Sequence, residues 1–318
     1  MGSNILITGA AGFIGSHLAE KLTELDHYVI GVDCFTDYYP KKIKEQNLSK
    51  LLKGKSFVFR EKDLFTADLE EILSGVDIIF HEAAQAGVRA SWGANFEIYT
   101  RNNIQVTQRL LEAAKEKPIK KIVFASSSSV YGDCKDLPMR EDSRLSPISP
   151  YGVTKLATEH LCQLYSKNYR VPIIILRYFT VYGPRQRPDM AFHKFIRAIL
   201  EGKEIPVYGD GKQTRDFTYI SDAVEANLSA MDADSRGEVF NIGGGSQIAL
   251  IECIRILEDL LGKKAKLKFL EIQRGDMRDT AADISKARKM LGFEPKYDLK
   301  AGLEKTFLWF MENYTSKQ

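Results

Sequence analysis

Asn4-Ile5-Leu6-Ile7-Thr8-Gly9-Ala10-Ala11-Gly12-Phe13-Ile14-Gly15 is the stretch on which the fold turns. It opens with an apolar run of strand length, and a stretch of helical period follows the last glycine. Gly9, Gly12 and Gly15 permit a tight turn between the two. They let backbone N–H groups near Phe13 and Ile14, at the positive end of the helix, come close to a pyrophosphate. A glycine-rich turn alone serves packing equally well. Here it is answered by Asp33, at the end of the next apolar run. A carboxylate at that point accepts hydrogen bonds from an adenosine ribose and repels a 2′-phosphate, so the expected cofactor is NAD rather than NADP.

Outward from this unit, short apolar runs at 27–33, 56–60, 76–81, 120–126 and 171–177 alternate with amphipathic stretches, clearest at 96–115. Strands that are apolar on both faces, separated by helices, predict a doubly wound parallel α/β sheet of Rossmann type over residues 1–177. Beyond it the pattern loosens. Residues 178–318 are expected to form mainly a smaller, mixed α/β substrate domain, with some segments returning to the first.

The 45 Lys+Arg nearly balance the 42 Asp+Glu, which argues against a chain built to coat nucleic acid. Apolar stretches such as 171–176 fall far short of the roughly 18 residues a membrane span needs, so no membrane partner is expected. Cys34, Cys134, Cys162 and Cys253 are widely separated, with no CxxC pair. They read as reduced thiols of a cytoplasmic protein, and no metal site is expected.

Pro150-Tyr151-Gly152-Val153-Thr154-Lys155 begins a second long helical stretch, 151–169. Residues four apart share a helix face, so Tyr151 and Lys155 can reach one site. A free phenol, with a pKa of about 10, is a poor base at neutral pH. A nearby ammonium favours its phenolate and makes Tyr151 a usable general base. Ser126-Ser127-Ser128-Ser129 closes the fifth apolar run, and carboxyl ends of parallel strands are where such sheets bind ligands.

With Asp63-Leu64, His81-Glu82-Ala83-Ala84 and Asn103, the GxxGxxG loop and the YxxxK pair resemble the extended short-chain dehydrogenase/reductases. Within them the chain resembles the NAD-dependent sugar-nucleotide epimerase/dehydratase family over essentially its whole length. The resemblance implies that Asp63 and Leu64 contact adenine, that Ala83 and Ala84 line the cofactor and that Asn103 lies near it. It also makes Ser127, counted back from Val130-Tyr131-Gly132, the third member of a Ser-Tyr-Lys triad. Dehydratases of the family carry Asp-Glu where this chain has Ser128 and Ser129, so the resemblance is to an epimerase.

LRYFTVYGPR at 176–185 and GDGKQTRDF at 209–217 match the family's sugar-nucleotide segments. They imply a diphosphate contact for Arg215, whose guanidinium fork suits phosphate. Gln273 and Asp276 are similar to a late nucleotide-contacting element, although the family's usual Arg-Pro-Gly-Asp is altered to Arg274-Gly275-Asp276. Asp37-Tyr38-Tyr39, AGVRASWG at 86–93 and RQRPDMAF at 185–192 resemble the UDP-glucuronate 4-epimerases. UDP-glucose 4-epimerases usually have Asn where this chain has Thr180. Ser128, Ser129, Thr180 and Arg187, with Arg89 a further candidate, form the set expected to hold a sugar carboxylate.

The implied reaction is 4-epimerisation of a UDP-sugar, UDP-glucuronate to UDP-galacturonate, through a transient 4-keto intermediate. A UDP-glucose 4-epimerase and a UDP-glucuronate decarboxylase stay open as alternatives, as does a non-catalytic NAD-binding protein. Family members often dimerise through two long helices, so a homodimer through 96–115 and 151–169 is expected.

Overall fold

The computed structural model describes residues 2–314. Residues 1 and 315–318, the outermost residues of the two expected domains, lie outside the described residues. Six expected strands form: β1 (Asn4–Thr8), β2 (Tyr28–Asp33), β3 (Phe57–Glu61), β4 (Ile78–His81), β5 (Lys121–Ser127) and β6 (Ile173–Tyr178). All pair in parallel, in the order β6-β5-β4-β1-β2-β3. Several begin later than the apolar runs do. Val76 and Val171 are buried, but in turns: the Val76 N–H donates to the Leu73 carbonyl and the Val171 carbonyl accepts from the Ile173 N–H. An apolar run reports burial, and burial continues past the strand end.

A seventh strand, Glu238–Ile242, arrives from the far part of the chain and pairs with β6. The helix Ile220–Asp232 also returns, packing on the helix Phe13–Glu24 and on β5. Successive strand residues face opposite sides of a sheet, and here both sides are dry. Ile5 and Ile7 pack with Leu18, Leu22 and Ala226, whereas Leu6 and Ile79 pack with Leu110, Cys162 and Tyr165. At roughly 1.5–3 kcal/mol for each fully buried aliphatic side chain, coverage of both faces is the main force holding the sheet.

Among the described residues the remainder of the C-terminal part adds three two-stranded sheets. Thr214–Asp216 pairs with Gln247–Ala249, Glu204–Tyr208 with Lys266–Leu270, and Val181–Tyr182 with Thr218–Tyr219. Strand order reverses between β1 and β4, so their outgoing loops diverge. That opens a crevice at the carboxyl ends, where α/β sheets bind ligands. The helical stretch at 96–115 forms as Phe96–Tyr99 and Val106–Ala114, joined by a π-helical segment, Thr100–Gln105.

Candidate active site

One cavity runs along these carboxyl ends from the glycine loop to Tyr151 and Lys155. Gly9 has φ +71°, and a Cβ on Gly15 would stand 2.3 Å from the Gly9 carbonyl oxygen, so the loop cannot carry side chains at either position. Gly12 is the N-cap of Phe13–Glu24, and no side chain caps it. The first-turn N–H groups are left for the cavity, which Gly9, Gly12, Phe13, Ile14 and Gly15 all line. This cradle fits the pyrophosphate of a dinucleotide.

Asp33 accepts from the N–H groups of Ala11 (3.2 Å) and Phe35 (2.9 Å) beside it. Burial raises its pKa, while those N–H groups and Lys44 act the other way. Asp63 pairs with Arg101 at 2.6 Å and, with Leu64, Ala83 and Ala84, completes this end of the cavity. Asn103, expected beside the cofactor, instead turns inward. Its Oδ1 accepts from the Gln85 N–H (2.7 Å), and its Nδ2 donates to the Gln85 carbonyl (3.1 Å) and to Thr154 Oγ1 (2.9 Å). Asn102, its neighbour in the π-helical segment, lines the cavity.

At the other end, the Ser149 hydroxyl accepts from the Gly152 N–H (3.1 Å) and Pro150 fills the first turn, fixing where the helix Pro150–Tyr169 begins. Tyr151 and Lys155 thereby face the same cavity. Lys155 Nζ is buried and donates to the Ala125 carbonyl at 2.7 Å. Burial lowers its pKa to about 8, against the opposing pull of Glu82, Cys162 and Glu159. Burial pushes the Tyr151 phenol up, and the Glu82 carboxylate adds to the rise; a hydrogen bond to Ser127 and the charge of Arg187 pull it down. The Lys155 ammonium predominates below about pH 8 and is progressively lost as the pH rises through that value. Because the charged form is the one that favours a Tyr151 phenolate, turnover should fall as pH rises through that value, read from a kcat–pH profile.

Ser127 caps the short turn Ser128–Val130, accepting from the Ser129 N–H (3.1 Å) and donating to Ser129 Oγ (3.1 Å). Ser128 and Ser129 are buried behind it, and Thr180 is half-buried past β6. Arg187 reaches the cavity wall with Tyr151, and its Nε and Nη2 each donate to Asp189 at 2.9 Å. Arg89, like Ser127, Ser128, Ser129 and Thr180, is not among the residues that line this cavity. It pairs with Asp276 at 2.7 Å, its guanidinium 4.1 Å above the Tyr208 ring. Arg215 donates to the carbonyls of Thr214, Met277 and Arg278. Gln273 and Asp276 share a turn whose Gly275 abuts Ser149, so this turn stands over the start of the helix Pro150–Tyr169. Glu82, Gln85, Tyr38 and Tyr178 also line the cavity without having been singled out as site residues. Glu82 had a signal, being a carboxyl among the apolar residues that close β4.

A family described as NAD dependent epimerase/dehydratase matches residues 5–243. The chain belongs to this family. A UDP-glucuronate 4-epimerase of Thermodesulfobacterium geofontis is 42% identical over 97% of this chain and 96% of its own. YtcB of Bacillus subtilis, described as an uncharacterized UDP-glucose epimerase, is 49% identical over 98% of both chains. The crystal structure of the Bacillus cereus UDP-glucuronic acid 4-epimerase with UDP-glucuronic acid and NAD superposes with a TM-score of 0.95. That chain is 46% identical, with 98% of this chain and 100% of the other covered.

Proposed function

We propose that the protein is an NAD-dependent isomerase that interconverts UDP-glucuronate and UDP-galacturonate. The observation that carries this reading is Arg187 on the wall of the cavity that Tyr151 and Lys155 also line, with serines where a dehydratase needs acids. The glycine cradle and Asp33 suit NAD, which when bound supplies first the acceptor and then the donor of the C4 hydride. Tyr151 takes the proton of the sugar 4-hydroxyl while Ser127 holds that oxygen, and Tyr151 returns the proton after the 4-keto sugar has turned over. Lys155 supplies the positive charge that favours the phenolate.

With a uronate, the ketone is a β-keto acid prone to losing CO2. Arg187, Thr180, Ser128 and Ser129 hold its carboxylate, keeping the bond to C5 out of line with the ketone π system. Neither Ser128 nor Ser129 carries an acid that could assist decarboxylation. Arg215, Gln273, Asp276 and Arg89 take the nucleotide and its diphosphate. Replacing Arg187 by Ala should raise KM for UDP-glucuronate by roughly 10- to 100-fold, the loss of one charge-assisted contact, and leave KM for UDP-glucose little changed. Steady-state kinetics on both sugars checks it; equal effects on the two would remove Arg187 from the carboxylate site.

The protein works as a homodimer in the cytoplasm. Exposed Ile98, Val153 and Leu164 on the two long helices support a shared helical face, and the four cysteines, all free thiols, support a reducing compartment.

A further inference from the structure

Three carboxyl side chains line the cavity: Asp33, Asp63 and Glu82. Asp33 adjoins the glycine loop and Asp63 is paired with Arg101. Glu82, the residue after β4, belongs to the opposite end, and the epimerase mechanism gives it no task. Its setting is built. Tyr178 on β6 donates its hydroxyl hydrogen to Glu82 Oε1 at 3.0 Å, and Asn227 Nδ2 donates to the Tyr178 oxygen at 2.7 Å. With that oxygen occupied by Asn227, the Tyr178 hydrogen is directed at Glu82.

The charged and titratable groups around it are few. Lys155 faces it from the helix Pro150–Tyr169, and Tyr151 feels both Glu82 and Arg187. Arg187 already holds Asp189, and Glu159, the other carboxylate near Lys155, is spent on Arg177. His81 below is held neutral by burial and by Lys155. Among the described residues Glu82 is therefore the one cavity carboxylate available to balance Lys155 together with a cationic ring brought alongside Tyr151.

We propose that Glu82 is a redox-linked proton site, ionised while the nicotinamide is oxidised and cationic, and protonated when the ring is reduced and neutral. The inference rests on the cavity being an NAD site. Burial holds the Glu82 pKa at about 7 against the pull of Tyr178 and Lys155, so one charge more or less nearby decides its state at neutral pH. Reduction places a hydride, two electrons with a proton, on the ring and removes one positive charge; Glu82 then takes one proton from water. Oxidation reverses both. Linkage is reciprocal, so the ionised carboxylate favours the oxidised cofactor with which the cycle must begin.

Infrared difference spectra of the holoenzyme before and after borohydride reduction test this without any sugar. Near pH 7, reduction should raise a protonated-carboxyl C=O band in the wild type, and Glu82→Gln should lack it. In equilibrium with the UDP-sugar, nicotinamide fluorescence should show about tenfold more reduced cofactor in Glu82→Gln at about pH 8. The difference should close by about pH 5, a tenfold ratio corresponding to one pKa unit between the two ring states. Tyr178→Phe, which removes the donor to the carboxylate, should move the midpoint of the band to higher pH, and it serves even where the Gln variant folds poorly. A band that persists in Glu82→Gln, no band at all, or a midpoint unmoved by Tyr178→Phe overturns the proposal. Protein that takes up no nicotinamide overturns the NAD reading as well, whereas loaded protein without a Glu82 band overturns this inference alone.

Discussion

Tyr151→Phe should lower turnover by roughly 10²- to 10⁴-fold, the usual worth of a positioned acid–base group, while NAD stays bound. The change deletes one oxygen. The helix start is set by Ser149 and Pro150, and the ring's edge-to-face contact with Tyr99, centroids 6.3 Å apart, survives. The groups proposed to bind NAD and the nucleotide, the glycine cradle, Asp33 and Arg215 with Gln273, are untouched by the change. The loss should therefore fall on kcat with KM almost unchanged. Initial rates by NMR, with cofactor content by absorbance, separate the two, and a Phe variant that turns over at the wild-type rate removes Tyr151 as the base.

The second large effect concerns stability. Arg177 on β6 and Glu159 on the helix Pro150–Tyr169 are almost wholly buried, with 3% and 1% of their side chains exposed, and are joined at 2.7 Å. Arg177 also donates to Tyr131 Oη, and Ser126 donates to Glu159. Replacing Arg177 by Leu leaves the Glu159 carboxylate buried and unpaired, a situation that costs about 3–5 kcal/mol. The double replacement Arg177→Leu with Glu159→Leu should regain much of that loss, because an apolar pair leaves no uncompensated charge. Urea unfolding of the two variants checks both statements; a single variant as stable as wild type would show that Glu159 finds another partner or a proton. Ser126 precedes the proposed triad serine, so the same break should loosen Ser127 and lower activity before the protein unfolds.

What the sequence made legible was local or periodic. Each of β1 to β6 is an apolar run, the glycines are contiguous with β1, and Tyr151 and Lys155 share a face by virtue of helical spacing alone. The strand Glu238–Ile242 was not legible, because nothing in five residues of the irregular C-terminal part says that they will pair with β6. Asn103 was legible only through the family resemblance, and its bonds to Gln85 and Thr154 depend on elements remote in sequence. Arg89 found Asp276, a partner 187 positions away that only the folded chain brings near. Glu82 was visible as a carboxyl after a strand, but its significance lies in Tyr178 and Lys155, both remote in sequence.

This cavity is proposed to convert one uronate into its 4-epimer. Purified protein with NAD and UDP-glucuronate, followed by NMR, should yield UDP-galacturonate with no release of CO2, and should act on UDP-glucose far more slowly. Formation of UDP-xylose with CO2, or epimerisation of UDP-glucose alone, would contradict it.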